Sequence, residues 1–227
     1  MQQEILRGVT TEIRRVGPAT FNGGFGTGIG ATDGDVALSR VLVSEAQAGG
    51  INMVGESTGA FSDVQIRDVR GQENLGVFGR GLNVFRGANV RAERMRIERV
   101  RDVGIFVDAA TLDMADLVLE TTEERLCAST SCSSSPAGIG LGVYEAGVAT
   151  VERFDIAHSA LAGLQIATGG DLQLRNGEVR DNPVGANIQV DGFDIARISD
   201  GVTYVDNGTN LDSERLPVPE TPAAVED

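Results

Sequence analysis

Ser39-Arg-Val-Leu-Val43, Ser62-Asp-Val-Gln-Ile66, Glu93-Arg-Met-Arg-Ile97, Ala115-Asp-Leu-Val-Leu119, Glu152-Arg-Phe-Asp-Ile156 and Gly170-Asp-Leu-Gln-Leu174 share one pattern: a charged residue, then apolar–any–apolar. The charged position reads Arg40, Asp63, Arg94, Asp116, Arg153, Asp171, a regular alternation of sign. Neighbouring copies of opposite charge fit a stack in which each strand lies beside its next copy in sequence, as in a solenoid. Equivalent residues of adjacent coils would then lie about 4.8 Å apart. The column is expected to form a charge ladder on an outer face, each opposite pair contributing about 0.2–1 kcal/mol and fixing register. The apolar positions, from Val41 and Val43 through Val64, Ile66, Met95, Ile97, Leu117, Leu119, Phe154, Ile156, Leu172 and Leu174, are the expected core.

A second element follows each copy: a glycine, then an apolar residue and a short alternation. It reads at Gly50-Ile-Asn-Met53, Gly76-Val-Phe78, Gly104-Ile-Phe-Val107, Gly142-Val-Tyr144, Gly163-Leu-Gln-Ile166 and Gly185-Ala-Asn-Ile188. The last two glycines are 22 residues apart. Short period-2 segments joined by Gly/Asn/Asp turns read as strands. The expectation is an all-β, single-stranded right-handed parallel β-helix of about 22 residues per coil, about seven or eight coils in all. Residues 1–16 are expected to be an N-terminal cap. Ile5, Val9, Ile13 and Val16 fall at helical spacing, so 4–16 reads as a capping helix, with a further strand as the alternative. Residues 17–212 form the β-helix domain, with an insertion loop at 123–138. Residues 213–227, which include Leu216-Pro-Val-Pro219, read as a linker or tail.

The chain has 227 residues, a net charge of −14, 30 glycines and no tryptophan, and all 19 of its basic residues are arginine. An acidic, lysine-free surface repels phosphate backbones, so nucleic acid is not an expected partner. No apolar run is long enough to span a bilayer, so membrane insertion is not expected either. Met1-Gln2-Gln3-Glu4 opens polar and acidic, unlike a signal peptide, which fits a cytosolic chain or a mature exported fragment. Cys127 and Cys132 are the two cysteines, in a serine-rich stretch. A local disulfide between them, implying an oxidising compartment, is favoured over free thiols or a metal site. No metal site or cofactor is expected. Calcium is conceivable on an acidic chain, but no ligand motif supports it. The oligomeric state is left open.

Candidate site residues come from the glycine-led strand. If the residue after glycine points inward, the next points outward. The outward column is then Asn52, Phe78, Phe106, Tyr144, Gln165 and Asn187, with three aromatics in consecutive coils between amides. Exposed rings flanked by amides suit stacking on sugar rings. The plainer reading is an aromatic ladder without a ligand, or rings placed inside by a slip of register. Glu145, next to Tyr144, and Asp108 are weak candidates for a catalytic acid and base on a glycosidic bond; ordinary turn carboxylates are the plainer reading. His158 aligns with Glu45, Asp68, Arg99, Thr121 and Asn176, a polar column that suits a solvated turn. Gly26-Thr-Gly-Ile-Gly30 carries no phosphate role, because Gly34–Val43 matches Gly147–Ile156 without a gap and belongs to the β-helix.

Gly81-Leu-Asn-Val84 through Gly104-Ile-Phe-Val107, the cysteine insertion, Gly185–Asp194 and Asp206–Asp212 ahead of Leu216-Pro-Val-Pro219 resemble the right-handed β-helix repeat proteins of myxobacteria-like Gram-negative bacteria. These belong to the wider pectin-lyase-like superfamily, and the resemblance covers about residues 60–220. It implies fold and an exported or cell-surface location more than activity. The Asn-Thr-Asp, Asp-Asp and Gly-His-Gly motifs of the superfamily's polygalacturonases are absent, and His158 sits in Ala157-His158-Ser159. The combined expectation is an extracellular binding or structural module with a carbohydrate ligand and no clear catalytic machinery. The alternatives are a polysaccharide lyase or glycoside hydrolase, and a self-associating structural protein.

Mass spectrometry of exported protein under non-reducing conditions is expected to find Cys127 and Cys132 joined. Because the loop they close is short, removing the bond should barely change global stability. Two free thiols would count against both the bond and the exported location.

Overall fold

The computed structural model describes residues 11–14, 26–71, 78–125 and 137–219. In chain order the strands are β1 (Thr11–Arg14), β2 (Thr27–Thr32), β3 (Asp35–Ser44), β4 (Gly49–Val54), β5 (Thr58–Arg67), β6 (Arg80–Phe85), β7 (Asn89–Arg101) and β8 (Val103–Asp108). They continue as β9 (Thr111–Glu123), β10 (Ile139–Tyr144), β11 (Val148–Ser159), β12 (Ala162–Ile166), β13 (Asp171–Arg180), β14 (Val184–Ile188), β15 (Asp200–Val205) and β16 (Thr209–Asp212). Odd strands form one eight-stranded sheet and even strands another, each in sequence order and each parallel throughout. The chain therefore alternates between two sheets and advances by one strand in each, which is a solenoid-like all-β fold. A 3₁₀ turn, Ile195–Ile198, lies between β14 and β15, with the Asp194 carboxylate accepting from Ala196 N.

Every expected core residue is buried. Val41 pairs with Val64, Val64 with Met95, Met95 with Leu117 and Leu117 with Phe154, so identical positions stack from coil to coil. The long odd strands bend twice. One bend falls at Arg40, Asp63, Arg94, Asp116, Arg153 and Asn176, where φ lies between 54° and 58°. The second falls five residues later, at Glu45, Asp68, Arg99, Thr121, His158 and Asp181, with φ between 51° and 65°. A left-handed residue in each coil turns the strand through a corner, which explains why these positions are polar and face outward. Asn and Asp tolerate this conformation through local hydrogen bonds; the arginines there depend on other compensation.

That compensation is the charge ladder. Arg94 Nε donates to Asp63 Oδ1 at 2.7 Å and Arg153 Nε to Asp116 Oδ1 at 2.8 Å. The Arg94 hydrogen bond holds the Asp63 carboxyl below its ordinary pKa, and Arg153 does the same for Asp116. At the second corner Arg99 Nε donates to Asp68 at 2.8 Å. The ladder holds from Arg40 to Arg153, but its sixth member is Asn176 and not Asp171. Arg153 falls opposite Asn176, between the register pairs Glu152↔Arg175 and Phe154↔Gly177. Asp171 lies opposite Val148 instead and pairs with Arg197 at 2.8 Å. Leu172 and Leu174 are inward, as expected, but stack on Ala149 and Val151. Gly177 hides the true copy because it stands where an apolar residue is expected. A Cβ there would sit 2.5 Å from the Phe154 ring, which fills the gap. By the same shift, Asp181 and not Asn176 shares the corner of His158.

Two further expectations change. Thr11–Arg14 is a strand paired with Val41–Ser44, so the strand alternative holds there and the capping helix does not. The free edge of β3 offers a ladder of hydrogen bonds that an isolated turn of helix cannot match. The rest of the expected helix, residues 4–10 and 15–16, lies outside the described residues, as do Cys127 and Cys132. Residues 213–219 are not a detached tail: they lie against the even sheet, with Val218 packed on it and Pro219 buried.

Ile97→Ala or Leu119→Ala should cost about 2–5 kcal/mol in denaturant titration, because each leaves a cavity in a stacked column. Thr121→Asn should do the reverse. Thr121 is a β-branched residue with φ 65°, so relieving it should raise stability by about 1 kcal/mol and the melting temperature by about 2–4 °C.

Candidate functional site

The even strands share a column of glycines: Gly28, Gly50, Gly81, Gly104, Gly140, Gly163 and Gly185. A Cβ on Gly104 would lie 2.6 Å from the Gly140 carbonyl oxygen and 2.7 Å from Leu119 Cδ1. The odd and even sheets close on each other here, and only glycine fits. This column sets the frame of the site. The repeat in the sequence points to Gly142 where the structure uses Gly140, and to Gly76, outside the described residues, where it uses Gly81.

In the true frame the outward column of the even sheet reads Gly30, Asn52, Asn83, Phe106, Gly142, Gln165, Asn187 and Asp212. Asn52, Phe106, Gln165 and Asn187 are therefore brought together as expected. Phe78 precedes β6 and lies outside the column. Tyr144 is two residues beyond Gly142, but its ring folds back: a Cβ on Gly142 would collide with the Tyr144 hydroxyl. The ring fills the place of the missing side chain. Its centroid is 5.1 Å from that of Phe106, and its hydroxyl donates to Gln165 Oε1 at 2.8 Å. Asn83 was missed, although its Nδ2 donates to Asn52 Oδ1 at 2.6 Å and extends the amide ladder by one coil.

The rings are not exposed. Phe106 is 0%, Tyr144 1% and Phe78 7% accessible, so the exposed aromatic platform does not exist in this conformation. Phe106 and Tyr144 belong to a buried cluster separate from the main core between the sheets, so the face that carries them is covered. Burial pushes the Tyr144 phenol well above its ordinary pKa.

Beneath that cover lies a charged group that the sequence pattern did not reveal. Arg80 Nε donates to Asp102 Oδ2 at 2.5 Å, and Arg125 donates to Asp102 Oδ1 from Nε at 3.1 Å and from Nη2 at 2.9 Å. The Arg80 guanidinium also lies 4.1 Å from the centroid of the Phe106 ring and 4.8 Å from that of Phe78. Burial opposes ionisation of Asp102, but the two guanidiniums overcome it and the carboxyl pKa is lowered. Charges stacked against rings and bonded to one another form a polar core rather than a catalytic pair. Of the two weak catalytic candidates, Asp108 is buried opposite Tyr144, whereas Glu145 is exposed in the following turn, with its N–H donating to Thr168 Oγ1 at 2.9 Å.

A second surface, on the odd sheet, carries unspent charge. An open groove of about 420 Å³ is lined by Ala60, Ser62, Arg91, Glu93, Asp113 and Ala115. Arg91 and Asp113 are register partners in β7 and β9, both exposed, and neither joins a salt bridge among the described residues. Glu93 is drawn instead to Arg94, at 3.1 Å. Small side chains at Ala60 and Ala115 leave the space, and Phe61 and Ala92 lie beneath it.

No helix among the described residues is long and apolar enough to cross a membrane. Comparison of the chain with protein-family models, with curated proteins and with solved structures returns no match.

Asp102→Asn should destabilise the fold by about 3–5 kcal/mol at neutral pH, because two buried guanidiniums lose their counter-charge. The sign of the pH effect follows from the lowered pKa. The stability Asp102 contributes is present above the unfolded carboxylate value of about 3.9 and is lost as pH falls through its folded value. Thermal melts between pH 7 and pH 2 should therefore show a steeper acid loss for wild type than for Asp102→Asn.

Proposed function

We propose that the chain is a right-handed parallel β-helix acting as an exported or cell-surface binding and structural module, with a polysaccharide as its ligand. Right-handed winding is the rule for parallel strands joined by crossovers in one sheet. The observation that carries the binding reading is the odd-sheet groove. Arg91 and Asp113 face it and join no salt bridge among the described residues, whereas the neighbouring corner charges of Asp63, Arg94, Asp116 and Arg153 are paired. Sugar hydroxyls both donate and accept, so a guanidinium beside a carboxylate above an apolar floor matches them. The glycan reading thus rests on this groove and no longer on Phe78, Phe106 and Tyr144.

Self-association is the second reading, favoured by the last coil, where Leu211 and Ile195 are 43% and 40% accessible.

A glycan array run beside reducing-sugar and unsaturated-product assays tests the proposal. Binding without product is expected, weakened at least tenfold by Arg91→Ala or Asp113→Ala. Product formation would favour the lyase or hydrolase. No glycan bound, together with concentration-dependent mass in sedimentation, would favour the self-associating protein.

A further inference from the structure

The even sheet's outer face carries a second inference, independent of the glycan groove on the other sheet. The chain leaves β16, and residues 214–218 run back across the strands toward the earlier coils. Asn187 Nδ2 donates to the Glu214 carbonyl at 2.8 Å, Gln189 Nε2 to that of Leu216 at 2.9 Å, and Gln165 Nε2 to that of Pro217 at 3.2 Å. Val218 then packs against the cluster of Phe85, Phe106 and Tyr144. The segment thus runs from the β14 coil, at Asn187 and Gln189, over Gln165 of β12 to the ring cluster of the earlier coils.

The chemistry of the two partners is one-sided. The face supplies side-chain amide donors and the segment supplies backbone carbonyls. Pro217 and Pro219 have no N–H to leave unsatisfied, and the Leu216 N–H is satisfied within the segment by the Glu214 carbonyl at 2.9 Å. Beyond the tight turn that this bond closes at Arg215, the prolyl stretch presents its carbonyls with little conformational entropy left to lose.

We propose that this face is a binding groove for an extended proline-containing peptide of the Leu-Pro-Val-Pro type, and that residues 214–219 occupy it in cis as a built-in competitor. A peptide in trans binds when the segment vacates the row of Gln165, Asn187 and Gln189. Recognition is by backbone carbonyls in extended conformation, with one apolar anchor at the position of Val218.

The test uses the full chain carrying Val218→Asp, which weakens the segment's own seat and leaves the face intact. The probe is a fluorescein-labelled synthetic peptide of residues 213–227, read by anisotropy. The variant should bind it at least tenfold more tightly than wild type does. Adding Gln165→Ala and Gln189→Ala should remove that gain, as should replacing both Pro217 and Pro219 of the peptide by alanine. Trypsin should cleave after the exposed Arg215 faster in Val218→Asp than in wild type. Circular dichroism melts verify folding, and Val218→Ser replaces Val218→Asp if the aspartate unfolds the chain. A folded variant that binds no more tightly than wild type overturns the proposal, as does binding indifferent to Gln165 and Gln189. Loss of glycan binding at Arg91 would leave this result untouched, because the two faces belong to different sheets.

Discussion

Backbone hydrogen bonds between successive coils hold equivalent residues about 4.8 Å apart, and that spacing makes every column in this molecule a physical object. A side chain here is surrounded chiefly by its own counterparts one coil up and one coil down. An apolar residue stacks on apolar residues and the core is continuous. A like charge would meet a like charge, so signs alternate where they persist, as at Asp63, Arg94, Asp116 and Arg153. A left-handed corner must recur in register, because one coil cannot turn where its neighbour runs straight. The cost of placing arginine at such a corner is offset by the carboxylate beside it. The glycine column obeys the same constraint: Gly104 must lack a Cβ because the Gly140 carbonyl lies where the Cβ would be.

The repeat was legible wherever each coil spells its columns in full. Five of the six charged copies and all twelve expected core positions came from the pattern alone. It became illegible where a side chain from elsewhere replaces one in the column. Phe154 covers Gly177, so that coil reads as if shifted by five residues and Asp171 takes the place of Asn176. Tyr144 covers Gly142, so the site column appeared to contain Tyr144 itself. In both coils the sequence shows a glycine where a side chain is expected and an aromatic nearby that fills the space. That pairing was the available signal. The burial of the site was less accessible to sequence reading. The cover over Phe106 depends on residues far along the chain, such as Val218, whose proline-flanked context has no strand period.

The two sheets present opposite chemistry to their surroundings. The odd sheet is open, and its corner charges neutralise one another while Arg91 and Asp113 remain available in the groove. The even sheet has spent its polar groups inside the protein: Arg80, Arg125 and Asp102 on one another, Tyr144 on Gln165, and the C-terminal amides on the strap of residues 214–218. A buried salt bridge of this kind adds less stability than its geometry suggests, because desolvation cancels much of the attraction. Its consequence is specificity of arrangement. Loss of Asp102 would leave two buried guanidiniums without their counter-charge, so the face tolerates few alternative packings.

Register between coils is therefore the claim on which the rest stands, and spin labels measure it directly. With Cys127 and Cys132 replaced by serine, nitroxides are attached at Thr150→Cys and Gln173→Cys, which the structure makes register partners. A second pair at Asp155→Cys and Gln173→Cys represents the alignment suggested by the sequence repeat, with Asp171 opposite Arg153. Strong spin–spin broadening at about one inter-strand spacing is expected for the first pair and clearly weaker coupling for the second. The reverse order, or weak coupling in both, would contradict the solenoid register described here.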